Sequence, residues 1–271
     1  MNTIVITGCS SGIGWETALY LKQRFVKVYP TARHETDVAR LKLIGFENAM
    51  LLDVTKPDQI ATVIKEVVRH EGKIDVWFNN AGFGQLGAIE DLPTKILKEQ
   101  FETNVFGLHE CTMQVLAVMR RQGYGKIIQH SSVLGLVSLE GRGAYNASKY
   151  AIEGLTDTLR LELAGSGVSV SLLNTGPIQS KFRENAIKKL QTNINIEHSQ
   201  FSKKYNASIQ GNAKRVPFVL DAQAVAVVVH RIILSDRPRA RYYITTATYI
   251  LGILKRILSS GGLDKILLRI G

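Results

Sequence analysis

Cysteine is nearly absent from this 271-residue chain: only Cys9 and Cys111 occur. Two thiols so far apart, without a histidine cluster at ligand spacing, exclude a disulfide scaffold and a zinc site of the usual patterns. They suit a reducing compartment, so a cytoplasmic protein is expected. Long apolar runs are missing too. The longest uncharged stretch near the C-terminus, Tyr242 to Leu254, has 13 residues including three threonines and a glycine, short of the roughly 20 needed to span a bilayer. The opening Met1-Asn2-Thr3 lacks a basic segment, apolar stretch and cleavage site, so no targeting signal is expected. Acidic residues are scarce in the last third. Residues 181–271 hold 16 Lys and Arg against 5 Asp and Glu, while residues 1–180 balance at 18 and 18, so the tail carries the whole net charge of +11. No module sets basic residues on one face with aromatics for stacking, which argues against nucleic acid as a partner. A solvated basic surface is the simpler reading, and attraction to an anionic membrane surface or ligand is the second.

What is present belongs to a globular chain: 45% hydrophobic, 21% charged and 7% aromatic, which excludes collagen-like, disordered and coiled-coil classes. Short apolar, β-branched runs recur at Thr3 to Thr7, Lys27 to Thr31, Ala49 to Leu52, Ile74 to Phe78, Lys126 to His130 and Val168 to Leu173. Each is separated from the next by enough chain for a crossover helix. Strands joined in this way form a parallel sheet covered on both faces. The fold expected is α/β, a single-domain doubly wound Rossmann fold over residues 1–271 with about seven strands, Arg241 to Thr245 supplying a last edge strand. Residues 1–180 make the core. Residues 181–217 are polar and weakly patterned, a candidate lid beside the carboxyl ends of the strands. Residues 240–271 form a basic amphipathic extension in which Ile250, Leu254, Ile257 and Leu258, then Leu263, Ile266, Leu267 and Ile270, recur at helical spacing. Their apolar faces either pack over the substrate pocket or a subunit interface, or rest on a membrane surface.

The first strand runs into Gly8-Cys9-Ser10-Ser11-Gly12-Ile13-Gly14 and then a helix. A glycine turn there lets the backbone approach a pyrophosphate and presents free N–H groups at the positive end of the helix. The second strand ends in Thr31-Ala32-Arg33. An acidic residue at that place would bind a ribose 2′-hydroxyl, whereas a guanidinium suits the 2′-phosphate of NADP, with Ser10 as a second donor. Glu35 and Asp37 are near enough in sequence to reach a ribose, so NAD remains the alternative.

Tyr145 and Lys149 stand four apart on one helical face. A nearby cation favours the phenolate and brings a tyrosine toward useful acid–base chemistry. Ser132 ends the strand before that helix, Asn79-Asn80-Ala81-Gly82 ends the fourth strand, and Asn104 opens a long helix. His130 reads as a packed side chain.

Together these motifs resemble the classical short-chain dehydrogenase/reductase family, whose pattern is matched by Thr7 to Gly14, Asn79 to Gly82, Asn104, Ser132, Tyr145 and Lys149, in order, over residues 2–182. Gly-Cys-Ser-Ser-Gly-Ile-Gly, Arg33, Asn-Asn-Ala-Gly-Phe-Gly and the tail from Arg241-Tyr242 look like its 17β-hydroxysteroid and retinol dehydrogenase-like branch, bacterial members in particular. The resemblance implies hydride transfer between a nicotinamide and a carbonyl or alcohol of an apolar aldehyde, retinoid, steroid or lipid-like ketone. Tyr145 would exchange the proton on oxygen, Ser132 would orient that oxygen, Lys149 would lower the tyrosine pKa and hold the nicotinamide ribose, and Asn104 would fix a relaying water. Asp53 and Val54 would meet the adenine, Asn80, Ala81 and Gly82 the adenosine, and Gly176, Ile178 and Ser180 the nicotinamide amide. The chain departs from the family in Thr175-Gly176, where Pro-Gly is usual, and in Ser180, where threonine is. A looser loop is expected there. The resemblance further implies a homodimer or homotetramer built through the helices beginning near Asn104 and Ala144. The competing function on this fold is a non-catalytic NADP-binding regulator, which has no use for Ser132, Tyr145 and Lys149 together.

Overall fold

The structure, a computed structural model, describes residues 1–211 and 217–270. Residues 212–216 of the expected lid and residue 271 of the tail lie outside the described residues. Seven strands form one parallel sheet in the order β3-β2-β1-β4-β5-β6-β9. They are β1 (Thr3–Ile6), β2 (Lys27–Ala32), β3 (Met50–Leu51), β4 (Val76–Asn79), β5 (Gly125–Ser132), β6 (Val168–Thr175) and β9 (Arg241–Tyr243). The order reverses between β1 and β4, and a ligand crevice opens at the carboxyl ends of strands flanking such a point. The fold is the single-domain doubly wound Rossmann architecture expected.

Alternate residues of each strand enter opposite cores, which is why the strands read as unbroken apolar runs. Ile4, Ile6, Val28 and Phe78 pack with Ala18 and Leu21 of α1 (Gly12–Lys22), Leu41 of α2 (Glu35–Leu43) and Val225, Val229 and Ile232 of α9 (Gln223–Leu234). Val5, Tyr29, Trp77 and Ile127 face the other way. They meet Ile60, Val63 and Val67 of α3 (Pro57–Glu71) and Cys111, Val115 and Met119 of α5 (Leu108–Gln122). Each aliphatic side chain so buried contributes roughly 1.5–3 kcal/mol. The helix ahead of α5, α4 (Thr94–Phe101), passes into it through a π-helical turn at Glu102–Gly107. Asn104 sits inside that wider turn. Beyond β5, α6 (Gly143–Glu162) carries Tyr145 and Lys149.

The expected lid is helical. It contains α7 (Phe182–Asn193) and α8 (Ser202–Ile209), and its stem is a small parallel sheet of β7 (Ile178–Gln179) with β8 (Leu220–Asp221). Few apolar residues are needed because Leu190, Ile194 and Tyr205 share one small core with Leu86, Ala88 and Leu92. Asp91 Oδ2 accepts from Ser199 Oγ at 2.5 Å and from the Tyr205 hydroxyl at 2.6 Å. The tail forms α10 (Thr246–Ile257) and α11 (Ser260–Ile270). Leu251 and Leu263 pack with Val133, Leu134 and Val137, and Leu254, Leu258 and Tyr145 join that cluster. One face of the tail therefore covers the loop after β5, while Tyr249, Ile250, Ile253 and Ile257 are exposed. Among the described residues no helix is long and apolar enough to cross a membrane.

Candidate active site

The turn after β1 is shaped by contacts that leave no room for side chains. Gly8 (φ +73°) and Gly12 (φ +60°) adopt left-handed backbone. A Cβ on Gly14 would lie 2.4 Å from the Gly8 carbonyl oxygen and 2.5 Å from Asn80 Nδ2. Thr7 Oγ1 accepts from the backbone N–H of Asn80 and Ala81 at 3.0 and 2.9 Å, and Asn80 Nδ2 donates to the carbonyls of Thr7 and Gly8 at 2.9 and 3.1 Å. The turn is thus fastened to the end of β4, leaving a backbone cradle at the start of α1. Half-buried Ser10, Ser11 and Ile13 form its rim. Burial pushes the Cys9 thiol up to about 12, so it stays protonated.

Arg33 lies exposed beyond β2, its Nε 3.4 Å from His34. A second arginine joins it unannounced by the sequence: Arg40 Nη2 donates to the Ser10 carbonyl and pairs with Asp37 at 3.2 Å. Asp37, one of the two acids within sequence reach of a ribose, is thereby held by a cation. Just beyond β3, Asp53 Oδ1 accepts from the Thr55 N–H and hydroxyl at 3.0 and 2.9 Å. Val54 is buried where a Cβ on Gly107 would fall, and Gly82 stands beside the Asn104 amide.

The first turn of α6 brings Tyr145 to the end of β5, beside Ser132. Ser132 Oγ donates to the Thr175 carbonyl at 3.3 Å and accepts from the Leu134 N–H at 3.1 Å. Lys149, one turn further on, donates from Nζ to the His130 carbonyl at 2.6 Å and lies 5.5 Å from the centre of the Tyr145 ring. Burial pushes Tyr145 up to about 12, against the lowering influence of Ser132 and then of the Arg142 guanidinium. Burial brings Lys149 down to about 8, and Glu153 opposes that. Asn104 accepts from the Phe83 N–H at 3.1 Å and donates to the Phe83 carbonyl at 3.0 Å and to Ser148 Oγ at 3.3 Å. Both its amide hydrogens are committed, so a relaying water has the remaining Oδ1 lone pair or backbone carbonyls of the π turn as partners.

Two buried networks hold this group from behind. Because Asn80 Nδ2 is a donor to backbone, Asn80 Oδ1 accepts from His130 Nδ1 at 3.1 Å, which leaves His130 Nε2 as acceptor for Thr175 Oγ1 at 3.1 Å. Burial, and then the Lys149 charge, bring His130 down to about 3, so it is a neutral strut. The same contacts tie Thr175 down, replacing the stiffness expected of a proline there. Behind Lys149, Glu153 accepts from Ser131 Oγ, from Asn174 Nδ2 at 2.6 Å and from Arg241 Nη1. Glu153 carried no motif, and Arg241 entered only as the start of the edge strand and tail; the spacing Lys149-x-x-x-Glu153 on one helix face is the signal that could have found the carboxylate.

The strand β7 and the turn after it lie over the glycine turn, Ser180 Cβ being 3.3 Å from where a Gly12 side chain would begin. Ser180 Oγ accepts from the Phe182 N–H at 3.4 Å. Gly176 passes so near Thr245 that a Cβ would sit 2.0 Å from its Oγ1, and Ile178 packs on the α1 side of the core. Phe182 meets Tyr145 edge-on, ring centres 5.3 Å apart. The structure therefore gathers Ser132, Tyr145 and Lys149 at one point and the glycine turn, Asn80, Ala81 and Ser180 beside it, with Arg33 and Asp53 farther along the strand ends. The Asn80 amide is spent on the protein itself, so only backbone there faces the crevice.

A family model described as "short chain dehydrogenase" matches residues 2–191. The chain is 39% identical over 266 residues to an uncharacterized oxidoreductase, YbbO, of Escherichia coli K12, covering 98% of this chain and 93% of that one. It is 31% identical over 274 residues to retinol dehydrogenase 8 of Bos taurus, covering 96% and 87%. Among solved structures, a short-chain dehydrogenase from Streptomyces avermitilis superposes with a TM-score of 0.76 at 25% identity, covering 99% and 94%. Levodione reductase superposes with a TM-score of 0.77 at 22%, covering 95% and 98%.

Proposed function

Because this chain belongs to the short-chain dehydrogenase family, an oxidoreductase family, we propose that it is an NADPH-dependent reductase of the carbonyl group of apolar aldehydes or ketones. The observation that carries the reading is the grouping of Tyr145 beside Ser132 at the end of β5, with Lys149 Nζ 5.5 Å from the centre of the Tyr145 ring. The nearness of retinol dehydrogenase 8 favours an apolar substrate.

The residues present fit a dinucleotide. Gly8 and Gly12 hold left-handed backbone in the turn where α1 begins, which leaves N–H groups for a pyrophosphate, Arg40 lies against Ser10 where a 2′-phosphate would lie, and the exposed Arg33 follows β2. When bound, the nicotinamide supplies the hydride. The chain handles the oxygen. Ser132 donates to the carbonyl oxygen and polarises it, and Tyr145 gives its phenolic proton to that oxygen as the carbon is reduced. The phenolate left behind is stabilised by the Arg142 and Lys149 charges, then recovers a proton from solvent. The Val133–Leu251 cluster packs against Tyr145 and keeps water from that side of the reacting carbon.

The test is NADPH oxidation with a panel of apolar aldehydes and ketones, using wild type and Tyr145→Phe. Turnover should fall about 10²–10⁴-fold in the variant while NADPH binding, read by fluorescence, is unchanged. Binding of NADPH without turnover of any carbonyl would leave a regulator in place of an enzyme.

A further inference from the structure

Successive residues of an α-helix advance by about 100°, so Tyr249, Ile250, Ile253 and Ile257 of α10 fall on one side of it and Thr248, Leu251 and Gly252 on the other. The second side is buried, Leu251 packing with Val133, Leu134 and Val137 of the loop after β5. The first is bare: its four side chains are between 44% and 69% exposed. A helix with one covered face ordinarily turns polar residues to water on the other. Here water meets a tyrosine and three isoleucines in one contiguous stripe, the mark of a binding surface.

The charge around the stripe is of one sign. From Thr246 to Ile270 the chain holds four basic residues, Lys255, Arg256, Lys265 and Arg269, against Asp264 alone. Arg256 stands seven positions after Tyr249 and so borders the stripe, and Lys255 and Lys265 are exposed. Among the described residues, Lys255, Arg256 and Lys265 make no ion pair.

These charges select the occupant. A second copy seated on the same face by a two-fold axis would bring two sets of cations together. Four side chains of one short helix also fall far short of the roughly 20–30 residues a side that a stable protein interface uses. An acidic lipid surface takes an apolar stripe and its basic neighbours together. The helix is well placed for this, because Leu254 and Leu258 beside it share a cluster with Tyr145.

We propose that the outward face of α10 docks on an anionic phospholipid bilayer, with Tyr249, Ile250, Ile253 and Ile257 entering the headgroup region and Lys255, Arg256 and Lys265 meeting lipid phosphates. Docked in this way, the enzyme takes apolar carbonyl compounds from the lipid along the Leu254 and Leu258 side of Tyr145. That delivery rests on the proposed reductase reading; the docking does not.

The docking is tested by co-sedimenting the full chain with vesicles of phosphatidylcholine alone or mixed with phosphatidylglycerol. Wild type should partition onto the mixed vesicles at least tenfold more strongly than onto the neutral ones, and high salt should remove the gain. Ile250→Ser/Ile253→Ser/Ile257→Ser and Lys255→Gln/Arg256→Gln/Lys265→Gln should each fall at least tenfold on mixed vesicles. Their melting temperatures should stay near wild type, since every altered side chain is exposed. Cys9 and Cys111 are buried, so Tyr249→Cys offers a single accessible thiol for an environment-sensitive dye. Its emission should shift to the blue on mixed vesicles, while the same dye on Leu43→Cys, exposed on α2, should not respond. Wild type left in the supernatant, a serine variant that pellets like wild type, or a Tyr249→Cys dye that stays in water overturns the proposal. So does a lipid-free wild-type oligomer, seen by sedimentation velocity, that the serine variant breaks apart, since the stripe would then join subunits. Delivery is read as kcat/KM for a long-chain aldehyde dissolved in vesicles against a short aldehyde in water. The serine variant should lose at least fivefold on the first and nothing on the second; loss on both or on neither overturns delivery. Vesicle binding with no turnover of any carbonyl upholds the docking and sinks the reductase reading.

Discussion

Arg241, on the edge strand β9, reaches across β6 to pair with Glu153, one helical turn beyond Lys149. A second nitrogen of the same guanidinium takes Asp157. The last strand of the sheet thus fixes the ionised carboxylate that helps keep Lys149 charged.

Replacing Glu153 with Gln removes that support. Lys149, already brought down to about 8 by burial, should lose its proton at lower pH, and the alkaline limb of the kcat/KM profile should move down by roughly one pH unit. A variant whose melting temperature falls while its pH profile stays put would show that the carboxylate only braces the fold.

Arg33 and Arg40 bear on cofactor choice. Arg33→Ala and Arg40→Ala should each raise the KM for NADPH about tenfold or more, the worth of a charge-assisted hydrogen bond, and leave the KM for NADH nearly unchanged. Steady-state kinetics with both coenzymes decides it; a wild type preferring NADH rules out the 2′-phosphate role.

His130 predicts acid sensitivity. Its folded value near 3 lies below the ordinary 6.5, so between those values the unfolded chain binds the extra proton. Stability therefore falls as pH drops from about 6.5 toward 3, by at most about 1.4 kcal/mol per unit from this group. Urea unfolding at pH 7 and pH 5 should show a steeper loss in wild type than in His130→Gln, and equal slopes would contradict a neutral buried imidazole.

Gly14→Ala places a methyl carbon 2.4 Å from the Gly8 carbonyl oxygen. The turn must shift, costing about 1–3 kcal/mol and weakening NADPH at least tenfold. Titration by coenzyme fluorescence together with a thermal melt measures both; unchanged affinity would mean that the cradle is not the binding surface.

Much of this was legible from the chain. β1, β2, β4, β5 and β6 announce themselves because each is buried on both faces, and a residue at any strand position must be apolar whichever side it faces. Strand ends were less clear: β3 holds its ladder over Met50 and Leu51 alone, while β5 and β6 run on to Ser132 and Thr175 through polar residues such as Ser131 and Asn174, whose partner Glu153 lies on α6. The lid hid its helices because Leu190, Ile194 and Tyr205 suffice for a core shared with residues 86–92, leaving too few apolar positions for a periodic pattern. Ser132, Tyr145 and Lys149 were visible as a spaced set. Glu153, Arg241, Arg142 and Arg40 were not, since each looks like an ordinary surface charge until the fold sets it beside its neighbour.

The two short strands β7 and β8 bring the ends of the lid side by side. An insertion whose stalks are clasped together behaves as a cassette: its length and lining are free to change while the dinucleotide crevice beneath keeps its shape. Exchanging the segment between β7 and β8 with that of a relative is therefore the economical way to transplant one enzyme's taste in molecules onto another.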